Sequence, residues 1–311
     1  MRGGGRGSKI VSSGHPTSSC TEPVETDPRR PKPGSGLYVV ATPIGNLGDI
    51  SERAREVLAS ADLVLAEDRR MAARLLQHIG VRTTVANYHE HNAARARPDI
   101  LRRLAEGQVI ALTSDAGTPL ISDPGYRLVD EALEAGVAVR AVPGPSAVIA
   151  ALSVSGLPTD RFMFVGFPPP KQAARRSFLA EVAGIAATLV FYESPRRLPD
   201  CLRDMAAVLG DRPAAVAREL TKLHEEVRRG GLPDLADHYT AAGPPKGEIV
   251  IIVGPPAAAE TDWAAIDREL ADRLTGESLR DAVDAVAAGS GAPRKAVYRR
   301  ALALKNGDGG A

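Results

Sequence analysis

Short apolar runs alternate with amphipathic segments from Leu37 onward. The apolar runs predict strands at 37–41, 62–66, 109–113, 137–142, 162–166, 188–192, 214–217 and 248–253. Helical spacing of apolar positions predicts helices at 51–60, 72–79, 93–106, 126–135, 147–155, 174–182, 195–209 and 234–242. Alternation of this kind is typical of βα units, so we expect an α/β protein with mostly parallel sheet.

Breaks in the alternation predict four parts: a disordered leader at 1–36, an N-terminal α/β domain at 37–156, a C-terminal α/β domain at 157–256 and a basic helical extension at 262–305. The leader is rich in Gly, Pro, Ser and Thr and has no apolar run. Gly, Pro and Asp at 156–160 interrupt the βα rhythm, and Pro and Ala at 255–259 are typical of a linker.

Composition argues against a disulfide-rich, zinc-binding, secreted or membrane-spanning protein. The formal net charge is +1, so global charge indicates no particular partner, and the two cysteines, Cys20 and Cys201, have no close Cys or His. That pattern disfavours a zinc site or a disulfide framework and suits a reducing compartment. The leader lacks the apolar core of a secretory signal, and no run of apolar residues could span a membrane. We expect a cytoplasmic protein.

The richest candidate chemistry follows the apolar run 109–113. The loop from Ser114 to Gly125 contains two aspartates, Asp115 and Asp123, among Gly and Pro residues. Loops at the carboxyl ends of strands in open α/β sheets are where ligands usually bind. Carboxylates accept hydrogen bonds from ammonium or hydroxyl groups, and glycines allow a close approach of backbone to ligand.

Two further Gly/Pro loops follow predicted strands, at 42–49 and 143–147. The second ends in Ser146, which either caps the next helix or joins its free amides in holding an anion. The chain contains neither GxGxxG nor GxxxxGK[ST], so ordinary dinucleotide and P-loop sites are unsupported.

Charged residues cluster at 65–70, 88–92, 217–222 and 246–248. His89 and His91 could ligate a metal, but no third or fourth ligand of suitable spacing is nearby. We therefore expect no metal and interpret the histidine segment as a polar loop that faces the substrate.

Taken in order, eight motifs resemble one known family: Thr42-Pro-Ile-Gly-Asn-Leu47, Ala66-Glu-Asp68, His89-Glu-His-Asn92, the loop 114–125, Pro143-Gly-Pro-Ser-Ala147, Phe191-Tyr-Glu-Ser194, Ala217-Arg-Glu-Leu-Thr-Lys222 and Lys246-Gly-Glu248. The chain resembles the small-subunit ribosomal RNA cytidine 2′-O-methyltransferases of the tetrapyrrole methylase superfamily. The resemblance runs from about Leu37 into the C-terminal helical segment.

The resemblance implies two α/β domains of the tetrapyrrole methylase type, with S-adenosylmethionine in the cleft between them, and a homodimer. It also implies methylation of a cytidine ribose in the decoding region of small-subunit ribosomal RNA. Carried over by motif position, the cofactor-binding residues are Pro43, Thr113, Ser114, Asp115, Thr118, Ser146, Ala147, Tyr192 and Leu220.

Two features set this chain apart from relatives within the superfamily. Tetrapyrrole-modifying relatives usually have Gly-Ala-Gly-Pro-Gly-Asp where this chain has the Thr42 loop, which indicates the RNA branch. The family usually has Thr where this chain has Arg69, a change that would add a phosphate contact or alter the local geometry. Two alternatives remain: a tetrapyrrole C-methyltransferase, and a non-catalytic RNA-binding factor in ribosome assembly.

Transfer of a methyl group to a ribose hydroxyl needs alignment of the reactants, and a general base would assist it. The candidate bases are Asp68, His89, His91 and Glu219. Arginine suits phosphate recognition, and the last helical segment, 293–305, carries five basic residues and no acid. The predicted RNA-binding residues are Arg70, Arg175, Arg176, Arg294, Lys295, Arg299 and Arg300. A solvated helix face is the alternative interpretation of the C-terminal basic residues.

Overall fold

The computed structural model describes residues 33–257 and 262–306, so almost all of the predicted leader lies outside the described residues. The chain divides into two compact units, with the division between Pro255 and Pro256. The first unit contains two five-stranded sheets, one built from strands before Gly156 and the other from strands after it. The second unit is helical. Within the described ranges, no helix is both long and apolar enough to cross a membrane.

The first sheet is entirely parallel, as the βα alternation predicts. Its strands are β1 (Gly36–Val40), β2 (Leu63–Ala66), β3 (Val85–Asn87), β4 (Val109–Thr113) and β5 (Val139–Val142), in the order β3-β2-β4-β1-β5. The short edge strand β3 was not predicted. Because all five strands run the same way, their carboxyl-terminal loops lie at one edge of the sheet.

Helices cover both faces of this sheet: α1 (Glu52–Ser60), α2 (Arg69–His78), α3 (Glu90–Ala105) and α4 (Tyr126–Glu134). Val57 and Leu58 of α1 pack with Leu75 and Leu76 of α2 in one apolar cluster. A second cluster contains residues of α3 and α4, including Leu128. Burial of strands on both faces explains why they appear in the sequence as continuous apolar runs.

The second sheet differs from the prediction of mostly parallel strands. Its strands are β6 (Phe162–Gly166), β7 (Thr188–Glu193), β8 (Pro213–Arg218), β9 (Glu226–Gly231) and β10 (Ile249–Val253), in the order β6-β7-β10-β8-β9. Only β6 and β7 pair in parallel, because β10 runs antiparallel to both β7 and β8, and β9 is antiparallel to β8. The prediction was therefore wrong for this sheet, and β9 was missed.

Helix α5 (Ala147–Ser155) packs on one face of the second sheet, where Val148 and Leu152 join Val190 and Ile252 in a buried cluster. Ile44, from the loop after β1, lies in the same cluster and so links the first sheet to the second. The other face is covered by α6 (Gln172–Val182), α7 (Leu198–Leu209) and α8 (Leu232–Ala242).

The helical unit contains α9 (Trp263–Arg273), α10 (Leu279–Ser290) and α11 (Arg294–Asn306). Its core includes Leu270, Val283, Val286, Val297 and Ala301, each fully buried. Pro293 immediately precedes α11, and its carbonyl accepts hydrogen bonds from the backbone N–H groups of Ala296 and Val297.

Candidate functional site

Loops from both sheets of the first unit line two neighbouring cavities. The antiparallel course of β10 brings its amino end, with Gly247 and Glu248, to the edge where β7 and β8 end. The larger cavity has a volume of about 470 Å³ and the smaller one about 350 Å³. The two share the side chains of Ile44, Asp115, Ala116 and Glu248, which we call the shared wall.

The larger cavity, called the first cavity here, has walls that are mainly apolar. Ile44, Ile121, Leu220, Ile249 and Val250 contribute aliphatic surface. Of the predicted cofactor residues, it is lined by Asp115, Thr118, Ser146, Ala147, Tyr192 and Leu220. Six of the nine predicted cofactor residues therefore come together at this cavity, from segments next to both sheets.

The smaller cavity, called the second cavity here, holds the other predicted cofactor residues, Pro43, Thr113 and Ser114, in addition to Asp115. Thr113 and Ser114 are buried, and their hydroxyls donate hydrogen bonds to backbone carbonyls, Thr113 to Leu65 at 2.9 Å and Ser114 to Gly117 at 3.2 Å. Those two side chains therefore hold the loop in shape.

Backbone pairing fixes the loops that separate the cavities. Thr42 and Gly117 exchange two backbone hydrogen bonds, of 2.8 and 3.0 Å, and form an isolated bridge. The Thr118 hydroxyl donates to the carbonyl of Pro145 at 3.2 Å. Gly117 has φ of +81°, a conformation that suits glycine. The loops after β1, β4 and β5 thus form one connected wall.

Strained backbone is concentrated in the same loops. In the described part of the chain, the non-glycine residues with positive φ are Leu120, Ser122, Glu219 and Thr221, at 73°, 64°, 51° and 66°. The first two lie in the loop after β4 and the other two in the loop after β8. Such conformations persist only where surrounding contacts impose them, and they cluster at functional sites.

The start of α5 opens into the first cavity. Ser146 occupies the N-cap position, but its side chain makes no capping hydrogen bond, so the simple capping interpretation is wrong. Both Ser146 and Ala147 line the cavity. The first amides of a helix have no partner within the helix and carry partial positive charge, which suits a carboxylate or phosphate.

Asp123, which lines the first cavity, has a strongly raised pKa. Burial raises its pKa to about 6, and the negative charges of Glu67 and Asp115 add to the effect, while a hydrogen bond with Ser114 opposes it. The carboxyl lines the first cavity. The sequence indicates Asp123 as a possible ligand-binding carboxylate of the loop 114–125, but it is not among the cofactor-binding or catalytic residues that the family resemblance implies.

Tyr192 forms the aromatic part of the first cavity. Its ring contacts Phe164 edge-on with centroids 4.9 Å apart, and it lies 5.4 Å from the exposed Phe167. Burial raises the pKa of the Tyr192 hydroxyl, and the nearby charge of Asp123 contributes. The hydroxyl therefore stays protonated and can donate a hydrogen bond at neutral pH.

Two of the predicted bases, Asp68 and Glu219, are carboxylates that already accept hydrogen bonds from a basic side chain. Asp68 caps α2 and is bound bidentately by Arg70, whose hydrogen bonds lower the pKa of the carboxyl to about 2. A hydrogen bond from Lys222, at 2.8 Å, lowers the pKa of Glu219 in the same way. Carboxylates stabilised in this manner accept protons poorly.

His89 and His91 lie at the start of α3, with ring centroids 6.0 Å apart. The Nδ1 atom of His89 is buried and has no hydrogen-bond partner among the described residues. None of the four predicted bases, which all belong to the described chain, lines either cavity; they are Asp68, His89, His91 and Glu219. Among residues 33–257 and 262–306, no three His, Cys, Asp or Glu side chains are placed to hold a metal ion.

Two of the predicted RNA-binding arginines, Arg175 and Arg176, pair with one aspartate, and Arg175 is buried. Arg175 of α6 is 4% exposed, and its Nε and Nη2 atoms contact Asp204 of α7 at 2.7 and 2.6 Å. Arg176 contacts the other oxygen of Asp204 at 2.7 Å and remains half exposed. Burial of Arg175 conflicts with the prediction that it contacts RNA, because a buried, paired guanidinium cannot reach a phosphate.

The basic residues of α11 differ in their pairing. Arg294 bonds Asp284 at 2.5 Å, and Arg300 pairs with Asp267 and lies over the ring of Trp263, 5.0 Å from its centroid. Lys295 and Arg299 are exposed and have no acidic partner among the described residues. Of the four residues of this helix that were predicted to bind RNA, Lys295 and Arg299 are therefore the ones without an acidic partner in the described chain.

Comparisons with known proteins identify the family. The family model of tetrapyrrole (corrin/porphyrin) methylases matches residues 36–236, and the model of the RsmI C-terminal HTH domain matches residues 260–305. The chain is similar to ribosomal RNA small subunit methyltransferase I of Mesorhizobium japonicum, with 51% identity over 88% of this chain and 95% of that protein. The protein of the same name from Escherichia coli O157:H7 is 45% identical over 86% of this chain and 94% of its own length.

Solved structures show the same fold at low identity. Diphthine synthase aligns with a TM-score of 0.55 and 16% identity, covering 70% of this chain and 89% of that one. The cobalt precorrin-4 methyltransferase CbiF aligns with a TM-score of 0.53 and 20% identity, covering 70% and 94%. With the matches above, the chain belongs to the tetrapyrrole methylase family, within the branch of methyltransferases whose curated members are named ribosomal RNA small subunit methyltransferase I.

Proposed function

We propose that this methyltransferase uses S-adenosylmethionine to methylate the ribose 2′-hydroxyl of a cytidine in the decoding region of small-subunit ribosomal RNA. The observation that carries the proposal is the first cavity, where motifs that resemble this family meet at one edge of two sheets. The names of the relatives support ribosomal RNA as substrate. The cytidine, the ribose position and the decoding region rest on the resemblance of the motifs.

The first cavity fits the proposed cofactor by its chemistry. Its volume of about 470 Å³ lies within the usual range for small-molecule sites, roughly 300–1,000 Å³. Aliphatic side chains such as Ile44, Leu220 and Val250 offer apolar surface to an adenine ring. The Asp115 carboxylate suits an ammonium or ribose hydroxyl, and the open amides of α5 suit a carboxylate. Pro43, Thr113 and Ser114 would border the cofactor from the second cavity.

Bound at this site, S-adenosylmethionine would supply an electrophilic methyl group. The residues of the chain then have two tasks: to align the acceptor hydroxyl and to take its proton. Asp123 suits the second task, because a carboxyl with a pKa of about 6 is largely ionised at neutral pH yet is a better base than an ordinary aspartate. We propose Asp123 as the proton acceptor in preference to Asp68, His89, His91 and Glu219, since it lines the cavity.

Binding of the large RNA substrate requires positive charge outside the first cavity. Lys295 and Arg299 on α11 are exposed and free of acidic partners in the described chain, so they are suited to phosphate contacts. The similarity of residues 260–305 to a domain described as HTH agrees with a nucleic-acid role for this unit. Arg70 is paired with Asp68, which makes it less available for such a contact.

We further propose a cytoplasmic homodimer. Large apolar side chains are exposed on three elements of the first unit: Tyr126 of α4 at 69%, Ile149 of α5 at 50% and Phe162 of β6 at 43%. Aromatic residues such as Tyr126 and Phe162 are enriched at protein interfaces, which supports the proposal. Light scattering coupled to size-exclusion chromatography would test the dimer, and a monomer at micromolar concentration would contradict it.

The decisive experiment maps ribose methylation in small-subunit RNA from a strain that lacks this gene. We expect one cytidine to lose its 2′-O-methyl group, and the wild-type gene to restore it. Complementation with Asp115→Ala supplies the matched control for dependence on the site. An unchanged methylation map in the deletion strain would contradict the proposed function.

A further inference from the structure

We propose that the second cavity is the binding pocket for the acceptor nucleoside, with its base turned out of the RNA stack. This inference rests on the proposed function and adds a site to it. The cavity is lined by the start of α2, by the loops after β1 and β4, by Lys222 from the loop after β8 and by Glu248, which immediately precedes β10.

Position is the first argument. The shared wall lines both cavities, so a group in the second cavity and one in the first would contact the same four residues. Transfer between two bound molecules requires such neighbouring sites, because the reacting atoms must come within about 3–3.5 Å. The volume of about 350 Å³ is at the lower end of the range for small ligands and suits one nucleoside.

Apolar side chains at the rim are the second argument. Leu47 and Met71 line the second cavity, yet 42% and 43% of their surfaces are exposed. Leu75, which is on the same helix as Met71 and also lines the cavity, is buried. A flat aromatic base has two apolar faces, and bases removed from the stack are held between apolar or aromatic side chains. Leu47 and Met71 are placed to provide that contact.

The polar wall is the third argument. Lys222 Nζ lies 2.8 Å from Glu219 Oε1 and 3.1 Å from Glu248 Oε2. Its aliphatic part covers Gly45, where an added Cβ would come within 2.5 Å of the lysine Cγ. Glycine at this position is therefore required for the lysine to lie across the cavity. A carboxylate beside an ammonium complements the cytosine edge, which carries an amino donor next to acceptor atoms.

Free cations beside the cavity are the fourth argument. Arg74 lines the second cavity, and Arg69 begins the same helix. Both are exposed, and neither has an acceptor among the described residues. Arg70, between them in sequence, is bound to Asp68. Unpaired guanidinium groups next to a pocket of nucleoside size suit the phosphates of the flanking nucleotides.

The test compares three variants on small ribosomal subunits from the deletion strain. Ala72→Phe places a large side chain on α2 where Ala72 lines the second cavity, and Arg74→Gln removes the free charge. The matched control is Arg82→Gln, an exposed arginine before β3 at the opposite edge of the sheet. Each variant is assayed for thermal unfolding, for cofactor affinity by calorimetry and for methylation kinetics.

We expect Ala72→Phe to bind the cofactor within about twofold of the wild type and to lose at least tenfold in kcat/KM for the particle, a loss typical of a blocked contact. Arg74→Gln should raise KM several-fold with little change in kcat, because phosphate contacts position the RNA and take no part in the chemistry. Arg82→Gln should match the wild type.

Two results would overturn the pocket alone: normal methylation by folded Ala72→Phe and Arg74→Gln, or a loss of cofactor affinity in Ala72→Phe as large as its loss of activity. The second result would assign the cavity to the cofactor. Arg74→Gln changes an exposed side chain, so it keeps the test valid if Ala72→Phe does not fold. Failure of the wild-type protein to methylate any particle would instead overturn the proposed function, and the pocket with it.

Discussion

The Oδ1 atom of Asp115 accepts a hydrogen bond from the backbone N–H of Asp68 at 3.0 Å. This contact joins the loop after β4 to the N-cap of α2, and Asp68 in turn accepts from the backbone N–H of Arg70 at 2.8 Å. One carboxylate oxygen of Asp115 is therefore engaged within the protein. Asp115 is part of the shared wall, and its other oxygen has no recorded protein partner in the described chain.

The first prediction separates the charge of Asp115 from its structural hydrogen bond. Asp115→Asn keeps an oxygen that can accept from Asp68, whereas Asp115→Ala removes it. Loss of a charge-assisted hydrogen bond costs about 1.5–3 kcal/mol. We expect both variants to bind S-adenosylmethionine roughly ten- to hundredfold more weakly by calorimetry.

Asp160→Ala, at an exposed aspartate outside both cavities, is the control and should retain wild-type affinity. If Asp115→Asn binds normally while Asp115→Ala does not, Asp115 serves the loop and not the cofactor. Unchanged affinity in both folded variants would remove Asp115 from the site altogether.

The second prediction concerns the pH dependence of the reaction. With a pKa of about 6, Asp123 should be protonated and inactive as a base at pH 5 and ionised at pH 7.5. The value of kcat/KM should rise with pH, reach half of its plateau at about pH 6 and level off about one pH unit higher, and Asp123→Asn should lose roughly 10²-fold or more. The variant should keep its cofactor affinity. A wild-type profile that is flat from pH 5 to pH 7.5 would be inconsistent with this role.

Ionisation of the same carboxyl also changes the stability of the native state, and the third prediction concerns the direction of that change with pH. The native state holds the Asp123 proton up to about pH 6, whereas the unfolded chain releases it near the ordinary value of 3.8. The native state therefore binds more protons between these values, and the stabilisation from this group is lost as pH rises through 6. Asp123→Asn should unfold at a higher temperature than the wild type at pH 7.5, and the difference should shrink towards pH 4.5. Equal differences at both pH values would contradict the assignment.

The fourth prediction concerns the buried pair of Arg175 and Asp204. Asp204→Ala should lower the free energy of unfolding by about 3–5 kcal/mol, because it leaves a buried guanidinium without a counter-charge. The double variant Arg175→Met/Asp204→Leu should recover most of that loss, and denaturant titration would measure both. Arg203→Ala, whose exposed pair with Asp200 is on the same helix, is the control and should change stability by less than about 1 kcal/mol.

The fifth prediction separates the cations of α11. Changing Lys295 and Arg299 to Gln should weaken particle binding and reduce the slope of log affinity against log salt by roughly 1 to 2. Changing Arg294 and Arg300 should mainly lower the thermal stability of the helical unit, since both are paired with aspartates. Cofactor affinity should not change in either pair. Normal particle binding by the Lys295/Arg299 variant across a salt titration would make the helix a solvated face.

Sequence patterns predicted the first sheet better than the second. Strand β10, Ile-Val-Ile-Ile-Val, is buried on both faces, and a continuous apolar run carries no information about strand direction. Its antiparallel course depends on pairing with β7 and β8, which lie far away in sequence. Strand β9 was missed because Glu226-Val-Arg-Arg-Gly-Gly231 is an edge strand with charged and Gly residues and one partner.

In the site, too, residues within local sequence motifs could be singled out from the sequence, whereas properties that depend on residues far away in the sequence could not. Sequence motifs brought attention to Asp115, Ser146 and Tyr192, which all line the first cavity. Arg175 looked like a surface cation, because the carboxylate that holds it in the interior lies 29 positions later in the chain. The raised pKa of Asp123 depends on burial and on Glu67, from a different strand end. Such effects arise only when the chain is folded.

The shared wall has a consequence for inhibition. Ile44, Asp115, Ala116 and Glu248 line both cavities, which makes the two cavities direct neighbours. A compound with one group in each cavity and a short linker between them would gain the contacts of both while losing translational and rotational freedom once. Against an enzyme in which the second cavity is closed, the same compound would keep only the contacts of the first cavity. Selectivity would then come from the second cavity.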